Sequence, residues 1–178
     1  MIQRVHNMII WLTGLSSSGK STIAKELAKY FENVKIIDGD ELRKTISKNL
    51  GYSKEDRIEN IRRAITLAKH YKAQDYSVIV ALMSPYANIR QEARNLTRDF
   101  VEVFVKCSLE ICKKRDVNKV YERFSKGEIK DVNGLDIPYE EPTEPEVIVE
   151  TDKETIEESV QKILNSSGFL DKESRKNF

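Results

Sequence analysis

The sequence predicts an α/β fold in which a five-stranded parallel sheet carries helices on both faces. Short apolar runs of strand length alternate along the chain with segments of helical periodicity, which is the order expected of a parallel sheet. The runs are continuously apolar, which is typical of strands covered on both faces. With 178 residues the chain has the length of one domain, so we expect residues 1–178 to form a single domain.

The first half of the chain contains three of the predicted strands. They are expected at Met8–Thr13, Val34–Ile37 and Ser77–Leu82. The helix after the first strand is indicated by apolar residues at helical spacing, namely Ile23, Leu27 and Phe31. A longer helix has one apolar face formed by Ile58, Ile61, Ile65 and Ala68. We expect it to begin near Ser53, which is a suitable N-cap.

The second half contains the other two predicted strands, Val101–Val105 and Glu146–Val149. Further helices are predicted at about Ala87–Arg98, from Ser108 as cap to about Arg115, and around Ile156, Val160 and Ile163. Residues 116–145 have weak periodicity and three prolines, so we expect a lid or binding loop there rather than a loose surface excursion. The polar tail, 166–178, is expected to fray.

Composition excludes several functional classes. With 30 Lys and Arg against 29 Asp and Glu, the net charge of +1 gives no electrostatic case for binding nucleic acid. No uncharged run reaches the ~20 residues of a membrane helix, and no secretion signal is recognised. The two cysteines form neither a CxxC pair nor a disulfide framework. We therefore expect a cytoplasmic protein with no membrane or nucleic-acid partner. The sequence does not decide between a monomer and a homodimer.

One motif indicates phosphate binding. Residues 14–21 (GLSSSGKS) fit G-x-x-x-x-G-K-[ST], in which a curled backbone turns several N–H groups towards an anion. The motif lies between a predicted strand and a predicted helix, whose N-terminus adds positive potential. Lys20 would reach the outer phosphates of ATP, and Ser21 would bind Mg²⁺. The predicted ATP-binding residues are Gly14, Leu15, Ser16, Ser17, Ser18, Gly19, Lys20, Ser21 and Thr22.

Downstream residues favour a small-molecule kinase. A signalling GTPase would need DxxG before NKxD, but here a DVNG segment at 131–134 follows an NKVY segment at 118–121. A motor-type ATPase would need an acidic residue after the strand at 77–82, where the chain reads MSP. Asp38 and Asp40 follow the second strand, so they should face the phosphate loop. One carboxylate could hold the metal's waters while the other accepts a proton from an attacking hydroxyl.

From Met8 to about Leu164 the chain resembles the adenylyl-sulfate (APS) kinases. The resemblance rests on GLSSSGKSTIA, DGDELR, LGYSKEDRIENIRR, SPYANIRQEAR, CKKRD and GLDIPYEEP, which occur in the family's order. These P-loop kinases phosphorylate the ribose 3′-hydroxyl of adenosine 5′-phosphosulfate (APS). The resemblance implies the sheet of a nucleoside monophosphate kinase, a lid at about 116–145, and ATP with Mg²⁺ as phosphoryl donor.

The resemblance also implies roles for individual residues. Lys20, Asp40 and Ser84 match catalytic positions, with Asp40 as the base and Ser84 positioning substrate. Ser21 and Asp38 match the metal site, and Arg115 the ATP side of the lid, where Lys119 and Arg123 are further lid cations. The acceptor-binding positions are Asp40, Arg43, Tyr52, Arg57, Asn60, Ser84, Asn118, Lys119 and Val132. Without the flanking motifs, Arg43, Arg57 and Arg62 would be interpreted as solvated helix surface and Tyr52 as core.

Departures from the family pattern concentrate on the acceptor side. Asn118 and Lys119 stand where the family usually has lysine and glycine, and Val132 replaces the second base-stacking phenylalanine. A known branch of the family phosphorylates the ribose 3′-hydroxyl of cytidine diphosphoramidate during capsule biosynthesis. The sequence interpretation leans to that small-molecule acceptor, with APS as the alternative. A nucleoside monophosphate kinase and a non-catalytic nucleotide-binding module are more distant alternatives.

Overall fold

A computed structural model describes residues 7–166 of the chain. Its strands are β1 (Ile9–Thr13), β2 (Val34–Asp38), β3 (Ser77–Ala81), β4 (Phe100–Lys106) and β5 (Val147–Glu150). They form one sheet in the order β2-β3-β1-β4-β5, and every neighbouring pair is parallel. The predicted five-stranded parallel sheet is confirmed. The predictions for the residues before Asn7 and for the tail beyond Ser166 lie outside the described residues.

Seven helices are present in the described part of the chain. They are α1 (Lys20–Ala28), α2 (Gly39–Lys44), α3 (Lys54–Lys72), α4 (Ala87–Arg94), α5 (Leu109–Arg115), α6 (Val120–Ser125) and α7 (Ile156–Leu164). The helix predicted to reach Arg98 ends at Arg94, because the residues 95–99 (NLTRD) turn the chain into β4. The short helices α2 and α6 were not predicted. None of the helices in residues 7–166 is long and apolar enough to span a bilayer.

Alternate residues of each central strand face opposite helical layers. Ile10 and Leu12 of β1 pack in the core that α1 and α7 cover. Ile9 and Trp11, their neighbours, pack in the second core, beneath α2, α3 and α4. Because successive side chains of a strand point to opposite faces, a strand buried on both sides is apolar throughout. The continuous run at 8–13 has this physical origin.

The segment 116–145, called the lid below, is folded over the loop that joins β1 to α1. The structure contains a small hydrophobic cluster here, to which the lid contributes Tyr121 and Val132. The buried cysteines Cys107 and Cys112 complete its centre. The expectation that 116–145 has no clear element is therefore corrected. Helix α6 forms there because its apolar residues pack against this cluster.

The order of the strands determines where a site can form. β1 lies at the centre of the sheet. From β1 the chain first adds β2 and β3 on one side and then β4 and β5 on the other. Such a switch point leaves a crevice beyond the carboxyl ends of the strands. The loops after β1, β2 and β3 all begin at this edge, and the lid lies over it. A ligand site is therefore expected at this edge.

Candidate active site

The glycines of the phosphate loop are required by close backbone contacts. Gly14 has a φ of +157°, and a Cβ atom there would lie 2.4 Å from the carbonyl oxygen of Val105 in β4. Gly19 is in the left-handed region with a φ of +103°, and α1 begins directly after it. The loop can thus curl against β4 and deliver the chain into the helix N-terminus, as phosphate binding requires.

A cavity of about 1430 Å³ extends from this loop past the ends of β2 and β3 to α2 and α3. The phosphate-loop residues that line it are Ser16, Ser17, Gly19, Lys20, Ser21 and Thr22. Gly14, Leu15 and Ser18, which the sequence also assigned to ATP binding, are not part of its wall. Gly14 and Ser18 are buried within the loop, and Leu15 packs against the small hydrophobic cluster beneath the lid, called the lid cluster below.

Lys20 lies across the phosphate loop. Its Nζ donates to the carbonyl oxygens of Gly14, at 2.9 Å, and Leu15, at 2.7 Å. Burial lowers the pKa of Lys20 from 10.5 to about 8, although the charges of Asp40 and Asp38 oppose the shift. An ammonium group desolvated in this way gains strongly from an anionic partner, because the bound anion restores the charged form.

Ser21 and Asp38 meet at the end of β2. The Ser21 hydroxyl donates to Asp38 Oδ2 at 2.5 Å, and Asp38 Oδ1 accepts from the backbone N–H of Asp40 at 2.9 Å, which caps α2. These hard oxygen ligands fit Mg²⁺, which usually takes one or two protein oxygens and completes its shell with phosphates and waters. Residues 7–166 contain no group of three or more His, Cys, Asp or Glu side chains able to hold a metal ion.

Asp40 is exposed to the cavity in the first turn of α2. Its Oδ2 accepts a hydrogen bond of 2.7 Å from the side-chain amide of Asn118, which lies in the lid. Asn118 therefore reaches across the cavity to the carboxylate predicted to be the base. Lys119, by contrast, begins α6 with a φ of +54° and does not line the cavity.

The acceptor side is organised around Tyr52. Its side chain is 63% exposed, so the alternative interpretation as core is wrong. The guanidinium of Arg43 lies 4.3 Å from the centre of its ring, and that of Arg57 lies 5.7 Å away. Both arginines are held by backbone carbonyls, Arg43 by Gly51 at 2.7 Å and Arg57 by Tyr52 at 2.8 Å. Two cations thus surround the one aromatic side chain.

Asn60 and Ser84 form the buried floor of this side. Asn60 is 4% exposed and lines the cavity, and its Oδ1 accepts no hydrogen bond from the described residues. A buried amide oxygen in this state is costly unless a ligand donor reaches it. Ser84 is 1% exposed and has a positive φ of 40°. Arg62 lies elsewhere on α3, exposed, with its guanidinium 3.4 Å from Glu92.

Val132 lines the cavity but belongs to the hydrophobic cluster of the lid, where it is 5% exposed. No aromatic side chain other than Tyr52 lines the cavity within residues 7–166. Tyr139 instead stacks on Phe104, with ring centres 6.1 Å apart. Phe124 packs against the lid cluster. The acceptor side therefore has a single aromatic face.

Thr151 lies on the predicted donor side, although the sequence did not indicate it. Arg115 donates to the carbonyl oxygen of Thr151 at 2.6 Å and to its hydroxyl at 3.1 Å. The Thr151 hydroxyl in turn donates to the carbonyl oxygen of Ser18 at 2.6 Å. Thr151 follows β5, far from the motif in sequence, and no pattern marks it. Thr151 therefore connects Arg115, which is predicted to bind ATP, to the phosphate loop. The lid residue Arg123 also lines the cavity.

Comparisons with known proteins agree with this geometry. The family profile described as "Adenylylsulphate kinase" matches residues 6–150. An adenylyl-sulfate kinase of Clostridium kluyveri is 44% identical over 165 residues, which cover 90% of this chain and 83% of that protein. One from Gloeothece citriformis is 48% identical over 160 residues, with 88% and 91% coverage.

Solved structures give the same result. The Mycobacterium tuberculosis APS kinase in complex with AMPPNP and APS superposes with a TM-score of 0.83 at 34% identity. The match covers 90% of this chain and 96% of that one. A gluconokinase from Sinorhizobium meliloti, with a TM-score of 0.60 and 18% identity, shares the fold alone.

Proposed function

The chain belongs to the adenylyl-sulfate kinase family of nucleotide 3′-phosphotransferases, and we propose that its acceptor is APS itself. ATP would supply the phosphoryl group, and the product would be the 3′-phosphorylated nucleotide with ADP. The observation that carries the proposal is that Lys20, the Ser21–Asp38 pair and Asp40 face one cavity, which continues to the cationic Tyr52 surface. Donor and acceptor can therefore meet at the end of β2.

The donor side would stabilise the charge of the transferred group. Phosphoryl transfer depends on positioning and charge stabilisation more than on covalent chemistry. The N–H groups of the loop and the N-terminus of α1 would bind the phosphates, and Lys20 would balance charge on the outer ones. Ser21 and Asp38 would hold Mg²⁺, which neutralises phosphate charge when bound. Arg115, at the end of α5, and Arg123, in the lid, would place cations over ATP while the lid excludes water.

The acceptor side would present the ribose hydroxyl to Asp40. The exposed carboxylate of Asp40 would orient that hydroxyl and accept its proton as the new bond forms. Arg43 and Arg57 would bind the anionic end of the acceptor, and the exposed ring of Tyr52 would stack on its base. The unpartnered Oδ1 of Asn60 would accept a hydrogen bond from a hydroxyl or amine of the acceptor.

The test is direct phosphoryl transfer. The protein is incubated with ATP, Mg²⁺ and APS, and the position of the new phosphate is assigned by phosphorus NMR, with Lys20→Ala as the inactive control. We expect a 3′-phosphate with wild type and almost none with the variant. A product carrying a 5′-diphosphate would instead identify a nucleoside monophosphate kinase. Absence of ADP production with every acceptor would identify a non-catalytic binding module.

The single aromatic face favours a second candidate acceptor, cytidine diphosphoramidate. APS kinases are expected to hold adenine between two aromatic rings, whereas Val132 here occupies the second position. A pyrimidine has less surface to stack, and the lid amide of Asn118 could contact its polar edge. Competition between the two acceptors at limiting enzyme decides between them. A higher kcat/KM for the cytidine compound would replace APS as the proposed acceptor.

A further inference from the structure

Ser84 is held in a backbone conformation that residues other than glycine seldom adopt. Its φ is 40°, and its side chain is buried at the edge of the cavity. The indole N–H of Trp11 donates to its hydroxyl at 2.9 Å. A strained backbone of this kind persists only where surrounding contacts impose it.

Arg90 provides one of these contacts. Its guanidinium is buried and contacts three parts of the molecule. Nη1 donates to the carbonyl oxygen of Ser84 at 2.7 Å, and Nη2 donates to the carbonyl oxygen of Glu140 at 2.7 Å. The Nε group lies 3.0 Å from a carboxylate oxygen of Glu102 in β4. Only arginine combines a fixed charge with donors in several fixed directions. Arg90 thus couples the Ser84 loop to the end of the lid.

Glu140 makes the reciprocal contacts. Its backbone N–H donates to the carbonyl oxygen of Pro85 at 2.9 Å. Its carboxylate accepts from the backbone N–H of Ala87 at 2.6 Å, in the first turn of α4. The preceding residue, Tyr139, shares a 2.8 Å hydrogen bond with Thr13, which directly precedes the phosphate loop. The C-terminal end of the lid is thereby attached to the residues that follow Ser84 and to the end of β1.

We propose that Arg90 and Glu140 are positioning residues that clamp Ser84 against the acceptor side of the cavity and anchor the C-terminal end of the lid there. The proposal rests on the proposed function, together with the role in positioning the acceptor that the sequence resemblance implies for Ser84. Neither residue lines the cavity, so both act through Ser84 and not on a ligand. On the ATP side, the contacts between Arg115 and Thr151 involve neither Arg90 nor Glu140. Loss of the clamp should therefore affect the acceptor and spare ATP.

Steady-state kinetics with each substrate varied in turn test this selectivity. We expect Arg90→Lys and Glu140→Ala to raise the KM for the acceptor about tenfold while the KM for ATP stays within about twofold. Glu140→Gln should restore near-normal values, because its amide oxygen can still accept from Ala87. Arg94→Lys is the matched control, since Arg94 lies on the same helix and pairs with the same Glu102 but contacts neither Ser84 nor Glu140.

A double-mutant comparison tests whether the clamp acts through Ser84. If it does, adding Glu140→Ala to Ser84→Ala should raise the acceptor KM little further, because coupled residues are not additive. Fully additive effects, or an unchanged acceptor KM in Ser84→Ala, would overturn the inference. So would equal increases in the KM values for ATP and acceptor, which indicate a general loss of structure.

Hydrogen exchange measured by mass spectrometry provides a readout that needs no acceptor. Arg90→Lys and Glu140→Ala should increase exchange in the segments 84–88 and 137–145 of the ligand-free protein, and Arg94→Lys should not. Unchanged exchange in both segments would overturn the clamp. If wild type phosphorylated no acceptor, the proposed function would fail, while this measurement would still decide whether the clamp exists.

Discussion

Asp38 and Asp40 are two residues apart, yet their surroundings suit them to different tasks. Both oxygens of Asp38 are engaged, one by Ser21 and one by the N–H of Asp40. The carboxylate of Asp38 is therefore held in one orientation as part of the turn, which suits the proposed role of a metal ligand. Asp40 is exposed to the cavity and is contacted by the amide of Asn118, a residue of the lid. A carboxylate in that position can exchange a lid contact for a substrate hydroxyl.

Replacing Asp40 by asparagine should separate binding from chemistry. Asp40→Asn keeps the size of the side chain but removes the proton acceptor, so turnover should fall by ~10²–10⁴-fold. The affinity for ATP, measured by calorimetry, should stay close to that of wild type. Glu41→Gln is the control, because Glu41 is the adjacent exposed carboxylate and pairs only with Lys44 in the described structure. A near-normal kcat in Asp40→Asn at saturating acceptor would remove Asp40 from the role of base.

The buried ammonium of Lys20 should give the ligand-free protein a distinctive pH dependence. At pH values between the folded pKa of about 8 and the ordinary pKa of 10.5, Lys20 keeps its proton in the unfolded chain and loses it in the folded chain. Folding then releases a proton, so stability rises with pH across this window. In Lys20→Met this contribution is absent. From about pH 7 to about pH 10, wild type should gain roughly 1–3 kcal/mol relative to the variant.

Chemical denaturation at a series of pH values, without nucleotide, measures this difference. The comparison with Lys20→Met cancels the titration of all other groups that the two proteins share. A difference in the free energy of unfolding that does not change with pH would contradict a lowered pKa for Lys20.

At the scale of single elements, α3 is the clearest case of a helix whose start the sequence determines. The Ser53 hydroxyl accepts from the N–H of Asp56 at 3.1 Å and so caps the helix, as predicted. The first two turns after that cap present Arg57 and Asn60 to the cavity. The cap at Ser53 therefore helps to determine the positions of two of the proposed acceptor-binding side chains.

Removal of this cap should lower the stability of the protein. Ser53→Ala should lower the free energy of unfolding by about 1 kcal/mol, because one N–H of the first turn loses its partner. Ser53→Asp should retain the stability of wild type, since aspartate also caps and its charge suits the helix N-terminus. Thermal and urea denaturation measure both variants. Equal stability of Ser53→Ala and wild type would show that the cap contributes nothing.

The lid is an element whose order depends on contacts distant in sequence. Tyr121, in α6, donates from its hydroxyl to the carbonyl oxygen of Ser16 at 3.0 Å, and the N–H of Val117 donates to the Ser17 hydroxyl at 3.2 Å. Gly134 lies directly over Leu15, where a Cβ atom would come within 2.8 Å of its side chain. The lid is thus packed on the phosphate loop, so we expect the lid and the phosphate loop to move together.

At the scale of the whole molecule, the proposed acceptor pocket is assembled from parts that are far apart in the chain. Asp40 follows β2, Tyr52 precedes α3, Ser84 follows β3, and Asn118 and Val132 belong to the lid. The parallel sheet brings the ends of β2 and β3 together, since these strands are neighbours. The preference for one acceptor over another is therefore a property of the assembled fold.

Replacing Val132 by phenylalanine tests that assembly. Stacking on one aromatic ring contributes ~1–3 kcal/mol per base, equivalent to roughly a 5- to 150-fold change in affinity. Because Val132 belongs to the lid cluster and also lines the cavity that Tyr52 lines, we expect part of the larger ring to reach that cavity. We expect Val132→Phe to shift kcat/KM towards APS, read from both 3′-phosphorylated products in a competition assay.

Val132→Leu is the control for this prediction, because it adds volume to the lid cluster without adding an aromatic face. It should change thermal stability about as much as Val132→Phe while leaving the ratio of the two products close to that of wild type. The same change of ratio in both variants would contradict the stacking explanation and indicate repacking of the lid.

Local signals explain what could be predicted. The strand at 8–13, the phosphate loop and the Ser53 cap are contiguous patterns in which propensity, spacing and turn chemistry agree. The pairing of Ser21 with Asp38 could also be anticipated, because parallel strands end at one edge of the sheet. Helix α6 and the early end of α4 could not be predicted, because packing against the rest of the chain decides both.

By itself, therefore, the sequence determined the α/β class, the position of the phosphate loop and the reaction family of this protein. Only the tertiary structure decided that Tyr52 is exposed between two arginines, that Lys119 does not line the cavity, and that Thr151 connects Arg115 to the phosphate loop. The physical reason is the range of the interactions. Caps, turns and periodic apolar faces act within a few residues, whereas exposure and cavity walls depend on which distant segments pack together.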